Sequence, residues 1–157
     1  MYWILIICYF FTIRRFVDTR GLICSFHSDW WTYFTYPLYH ENIFHLALNC
    51  YAILIYWNFL KHRISQTVML LILAATVPLS GMIASFSGTG GSSTIASGLM
   101  GIYLALYPHT YRRYIFMFAF NGIVSLMFPV NFLIHLVAMI ISFVMMRMIS
   151  RFVYVII

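Results

Sequence analysis

Charged residues are scarce in this 157-residue chain: they make up 8% of the sequence, whereas 64% is hydrophobic. A soluble domain carries roughly three times that share of charge, so the composition excludes one and indicates an integral membrane protein. A membrane-spanning helix needs roughly 20 mainly apolar residues, which leaves room for about six spans and no separate soluble domain. We therefore predict a single membrane domain over residues 1–157.

Cysteine and acidic residues are also few. The three cysteines have neither the spacing of a disulfide framework nor that of a metal site, so we expect no metal and no cofactor. The acids are Asp18, Asp29 and Glu41, which all lie before the predicted second span or at its start. The later spans therefore contain no carboxylate that could orient a catalytic histidine.

The apolar runs are continuous rather than alternating, which favours membrane helices over a β-barrel. The predicted fold class is all-α, a polytopic bundle of six transmembrane helices. The predicted spans are Tyr2–Val17, His40–Leu60, Gln66–Phe86, Ser92–Tyr107, Tyr114–Phe128 and Val130–Ile149. No basic residue precedes the first apolar run and no small-residue cleavage site follows it, so we interpret it as a span rather than a signal peptide.

Basic residues set the expected orientation. A net charge of +6 in a soluble protein would suggest nucleic acid, but here the basic residues lie between apolar segments, so we expect no nucleic-acid partner. Six of the nine lie after span two, after span four or at the end of span six, which makes that side cytoplasmic and the N-terminus cytoplasmic as well. These six are Lys61, Arg63, Arg112, Arg113, Arg147 and Arg151. The longest loop, 18–39, carries aromatic residues that suit the membrane interface, namely Trp30, Trp31, Tyr33 and Tyr36.

Polar side chains recur where spans two, four and six begin. His45 and Asn49 are four residues apart and share one helix face, the serine-rich run GTGGSSTIASG opens span four, and His135 lies near the start of span six. Each alone has a structural explanation, such as a buried hydrogen bond or a close helix contact. Three spans that run in one direction bring these groups to one depth, which favours a functional site because polar groups are costly in lipid.

Such a group supports acyl transfer. A serine would act as nucleophile, His135 as general base, and His45 with Asn49 as donors that stabilise the oxyanion. Because no acid is available near His135, we predict a Ser-His dyad whose imidazole is held by packing or by Asn131, four residues earlier on the same face.

The segment WWTYFTYPLYHENIFHLALN resembles the first loop and second span of the rhomboid intramembrane serine proteases. The resemblance covers essentially the whole chain and implies a six-helix rhomboid-like bundle. His45 and Asn49 match the oxyanion-binding pair of that family, His40 matches a further histidine that often precedes it, and His135 matches the catalytic base.

Two registers compete for the nucleophile. Read literally, Ile95-Ala96-Ser97-Gly98 resembles the family's Gly-x-Ser-Gly motif without its first glycine. Over a longer window, Ser93 followed by Gly98-Leu99-Met100-Gly101 is more similar, because family members have a small residue and a Leu-x-Gly pattern at those distances. We favour Ser93 and keep Ser97 as the alternative.

The chain also departs from the family. In the Ser93 register, Thr94 replaces the glycine after the nucleophile, and Ser97 replaces an aromatic residue that stacks on the histidine. On span six the family's Gly-x-x-x-Gly becomes Ala138 and Ser142.

The resemblance implies a protease in the cell membrane that cleaves transmembrane segments of other proteins within the lipid bilayer, with its active site open to the outer face. A catalytically inactive relative that binds transmembrane segments is the alternative. A small transporter is a third hypothesis, but it predicts polar groups at both depths, and the inner halves of spans two, four and six are almost wholly apolar.

Overall fold

The computed structural model describes residues 22, 24, 25, 27–40, 43–85, 93–110, 112 and 132–152. Its regular elements in these ranges are helices. Four long helices take their names from the predicted spans: the span-two helix Ile43–Leu60, the span-three helix Gln66–Ala84, the span-four helix Ser93–Leu106 and the span-six helix Phe132–Ile149. Predicted spans one and five lie outside the described residues, so the count of six helices stays a prediction.

Two helical stretches, Gln66–Ile83 and Phe132–Ile149, are long and apolar enough to cross a membrane. Two further apolar stretches, His45–Leu60 and Thr94–Leu106, are shorter. Large apolar side chains remain exposed along the helices, and Leu48 is 68% exposed. Exposed apolar surface on the span-two, span-three and span-six helices suits a lipid environment.

The span-four and span-six helices run parallel and touch closely. Ser97 contacts His135, and one turn later Gly101 lies against the backbone of Met139. Both pairs are 38 residues apart in sequence, so the two helices advance together. Lipid supplies no hydrophobic drive for helix association, so van der Waals contact between small residues stabilises this pair.

The span-two helix is parallel to the span-four helix. The Tyr103 ring contacts the Phe59 ring at a centroid distance of 6.0 Å, and one turn later the Arg63 guanidinium lies 6.0 Å above the Tyr107 ring. Three helices therefore begin at one end of the bundle, and the short connection 61–65 returns the chain antiparallel through the span-three helix.

The main apolar core lies toward the C-terminal ends of the three parallel helices. It is formed by Leu60, Met69, Ile72, Leu73, Leu99, Ile102, Ala105 and Met146. A smaller cluster of Cys24, Tyr36 and Ile134 lies toward the N-terminal ends. Buried polar side chains such as Asn49 and Thr94 lie toward the N-terminal ends, and the larger apolar core fills the other end of the described bundle.

The loop before span two corrects one expectation. Trp30 is exposed as an interfacial residue would be, but Tyr36 is 0% exposed. Its hydroxyl donates a hydrogen bond of 3.0 Å to the Val77 carbonyl of the span-three helix. Burial raises the pKa of Tyr36, so the phenol stays neutral and serves as a donor. Tyr36 therefore anchors the segment that leads into the span-two helix and is not an interfacial residue.

Candidate active site

The main predicted site residues come from the first two turns of three parallel helices. His45 and Asn49 lie in the span-two helix, Ser93 and Ser97 in the span-four helix, and His135 in the span-six helix. Because all three helices begin at the same end of the bundle, their N-terminal turns are brought together. The Ser93 side chain and the whole of Asn131 lie outside what the structure describes.

Ser97 and His135 are in direct contact. The Ser97 Oγ lies 3.1 Å from the His135 Nδ1, within hydrogen-bonding distance, and both side chains are half-buried. A serine hydroxyl can donate or accept, so the protonation of the ring decides the direction of this bond. The contact joins a nucleophile-type side chain to a base-type side chain across two helices.

Ser93 is the first residue of the span-four helix. The first four N–H groups of a helix have no partner within it and carry the positive end of the helix dipole. An anion that develops beside Ser93 would therefore meet backbone donors. Thr94, which follows it, is fully buried.

Asn49 has a buried amide. The residue is 8% exposed, and its Nδ2 has no hydrogen-bond acceptor among the described residues. Tyr56 and Tyr103 have their ring centroids 5.8 Å apart, and Asn49 and Ala96 each lie about two turns before them in the parallel helices. Asn49 is therefore level with the turn that carries Ser93 and Ser97.

His40 and His45 lie beside one another, with ring centroids 5.4 Å apart in an edge-to-face arrangement. His40 is buried, and its Nδ1 donates to the Leu38 carbonyl at 3.2 Å. Burial lowers the pKa of His40 to about 4, so the ring is neutral at pH 7. His40 therefore supports the His45 ring by contact and places no charge beside it.

Glycines and small residues set the spacing of the site. A Cβ on Gly98 would lie 3.1 Å from the Ser142 Oγ, and that hydroxyl is hydrogen-bonded at 2.8 Å to Thr76 of the span-three helix. Ala138 and Ser142 are 0% exposed on the opposing face. The sequence singled out Ala138 and Ser142 but not Thr76, whose only signal was a polar residue inside an apolar span.

No three His, Cys, Asp or Glu side chains come together as a metal site in the part of the chain that the structure describes. The chemistry available from the described groups is that of a hydroxyl, an imidazole and amide donors.

Comparison with known families gives one match: a family model described as Rhomboid domain covers residues 27–154. Neither curated proteins nor solved structures give a match to the chain. The matched range contains every candidate site residue.

Proposed function

The chain belongs to the rhomboid family of membrane proteins, and from that premise we propose that it is an intramembrane serine protease that cleaves transmembrane segments of other membrane proteins. The observation that supports this most is the 3.1 Å contact between the Ser97 Oγ and the His135 Nδ1. It brings the imidazole to the serine-bearing face of the span-four helix.

Ser93 is the proposed nucleophile and His135 the general base. The base takes the serine proton as the hydroxyl attacks a substrate carbonyl, and later gives it to the leaving amine. Ser93 is favoured over Ser97 because it begins the helix, where unpaired N–H groups can stabilise an oxyanion. The N–H of Ser97 lies in the second turn and is committed to a hydrogen bond within the helix.

The remaining oxyanion donors in this proposal are Asn49 and His45. The Asn49 amide is buried, is level with the serine turn, and has no acceptor within the described residues. A donor held ready in this way stabilises charge without reorganisation when the reaction occurs. His40 supports the His45 ring by edge-to-face contact, and Asn131 remains a predicted support for His135.

A catalytically inactive protein that binds transmembrane segments is the second candidate. Thr94 favours it, because this fully buried residue replaces the glycine after Ser93. Its added bulk lies beside the proposed nucleophile. A transporter is disfavoured, because the core around the C-terminal halves of the parallel helices is apolar in the described residues.

Cleavage of a reporter transmembrane substrate in liposomes tests the proposal. We expect wild type and a Ser150→Ala control to cleave, while Ser93→Ala and His135→Ala lose at least about a thousandfold in kcat, since they remove nucleophile and base. Wild type that binds the reporter in a crosslinking assay but leaves it intact would establish the inactive alternative. Equal cleavage by Ser93→Ala, Ser97→Ala and wild type would rule out a serine mechanism at this site.

A further inference from the structure

We propose that Ser97 is a positioning residue for His135: its hydroxyl accepts the Nδ1–H of the ring and so directs Nε2 toward the hydroxyl of Ser93. This inference rests on the proposed protease function and assigns the third member of its catalytic group. Ser97 would then do for the imidazole what an aspartate does in a Ser-His-Asp triad.

The ring nitrogen that Ser97 contacts fits a positioning role. Ser97 contacts Nδ1, which is the nitrogen that the orienting residue binds in a serine-protease triad, whereas the nucleophile uses Nε2. A neutral imidazole carries one donor and one acceptor nitrogen. If Nδ1–H donates to Ser97, Nε2 is the basic nitrogen, as a general base requires.

The geometry of the two helices turns the His135 side chain toward Ser93. Side chains on a helix lean toward its N-terminus, and the span-four and span-six helices are parallel, with a constant offset of 38 residues. The His135 side chain therefore leans toward the turn that begins at Ser93. Nε2 is the ring nitrogen farther from the backbone, so it reaches farther in that direction than Nδ1 does.

The span-four and span-six helices carry no acidic residue that could orient the imidazole. The only acidic residues of the chain are Asp18, Asp29 and Glu41, and none lies on the span-four or span-six helix. Neither of these two helices therefore supplies a charged orienting group to the imidazole. Ser97 is the described side chain that occupies this position, and it stands where the resemblance would put an aromatic ring.

In the proposed step, the serine proton passes through His135 to the leaving amine. The Ser93 Oγ bonds to the substrate carbonyl carbon as its proton moves to Nε2, and the carbonyl pair becomes the oxyanion. Collapse breaks the C–N bond and Nε2–H protonates the leaving amine, after which water repeats the sequence to release the acyl group. Nδ1–H stays on the ring throughout, hydrogen-bonded to Ser97.

The test compares Ser97→Ala with Ser97→Thr, which keeps the hydroxyl, and with Ser142→Ala. The last variant is a matched control because it removes a second serine hydroxyl at the contact of the span-four and span-six helices, one that is hydrogen-bonded to Thr76 rather than to His135. We expect Ser97→Ala to lower kcat about tenfold with KM unchanged, since one neutral hydrogen bond is lost. Ser97→Thr and Ser142→Ala should retain kcat within about twofold of wild type.

Two further measurements separate the possible roles of Ser97. A fluorophosphonate probe, located by mass spectrometry, should modify Ser93 in wild type and in Ser97→Ala. The 15N chemical shifts of the His135 ring should report the Nδ1–H tautomer in wild type and Ser97→Thr, and a mixture of tautomers in Ser97→Ala.

Covalent attachment of the fluorophosphonate probe to Ser97 would overturn the inference, because Ser97 would then be the nucleophile. Wild-type kcat in Ser97→Ala would also overturn it while leaving the protease function intact. If wild type neither cleaves the reporter nor reacts with the probe, the proposed function itself fails and the inference falls with it.

Discussion

A catalytic role and a packing role for Asn49 predict opposite effects of Asn49→Ala on the stability of the protein. A buried donor left unpaired costs about 1–3 kcal/mol of stability, and the Asn49 Nδ2 has no acceptor within the described residues. We expect Asn49→Ala to keep or raise the thermal unfolding midpoint in detergent. The same change should lower kcat on a transmembrane substrate about a hundredfold, as loss of an oxyanion donor does.

Ser80→Ala is the matched control for this prediction. The Ser80 Oγ is likewise buried with no partner in the described part of the chain, but Ser80 has no part in the proposed chemistry. The unfolding midpoint of Ser80→Ala should stay unchanged or rise, as for Asn49→Ala. Its kcat should equal that of wild type. A clear fall in the unfolding midpoint of Asn49→Ala, with a parallel loss of activity, would instead assign Asn49 to helix packing.

At the scale of the helices, Gly101 sets the distance between the span-four and span-six helices. A Cβ at this position would overlap the Met139 carbonyl oxygen and lie 3.1 Å from the Phe143 backbone nitrogen. Backbone cannot move aside as a side chain can, so we expect Gly101→Ala to destabilise the protein by about 1–3 kcal/mol. Because Ser97 and His135 are one turn away, kcat should fall as well when measured on the folded fraction.

Gly98→Ala is the comparison for Gly101→Ala. Its Cβ would meet the Leu73 Cδ2 at 2.8 Å and the Ser142 Oγ at 3.1 Å, both in side chains that can rotate. The loss of stability in reversible detergent unfolding should therefore be smaller than for Gly101→Ala. Equal losses would show that backbone contact at Gly101 does not set the helix spacing.

Helix limits were accessible from the sequence, whereas the pairing across helices was not. The span-four helix begins at Ser93, one residue after its predicted start, because the apolar run and the glycine-rich segment before it mark that boundary. The contact between Ser97 and His135 depends on the rotation and register of two helices, which hydropathy does not encode. For the same reason, the sequence offered Ser97 as an alternative nucleophile and gave no sign of its bond to Nδ1.

Tyr36 illustrates the same limit in a loop. Tyr36 lies close in sequence to Trp30 and Trp31, and such a cluster of aromatic residues is typical of an interfacial belt. Its burial follows from packing against Gly81 of the span-three helix and Ile134 of the span-six helix, and from the hydrogen bond to Val77, 41 residues away. Aromatic character alone predicts an interfacial position for every residue of this cluster, and only the tertiary contact distinguishes a structural tyrosine from an interfacial one.

On the scale of the whole molecule, the basic side chains of the described residues and the candidate site lie at opposite ends of the bundle. Five exposed basic residues lie in the last turn of a parallel helix or after its C-terminal end, namely Lys61, Arg63, Arg112, Arg147 and Arg151. The candidate active site lies at the N-terminal ends. If the basic end is cytoplasmic, as the positive-inside rule predicts, the site opens toward the outer face and substrates are cut near that side of the membrane.

Cysteine accessibility in intact bacterial cells that express the protein tests this orientation. In a background with Cys8, Cys24 and Cys50 replaced by alanine, a membrane-impermeant maleimide should label Trp30→Cys, since Trp30 is 75% exposed in the loop on the site side. His62→Cys, in the exposed connection between spans two and three, should be labelled only after permeabilisation. Val144→Cys, on the lipid-facing surface of the span-six helix, should resist labelling in both conditions, because maleimide needs a hydrated thiolate. The reverse pattern for Trp30→Cys and His62→Cys would turn the active site to the cytoplasm, where it would meet the inner ends of substrate helices.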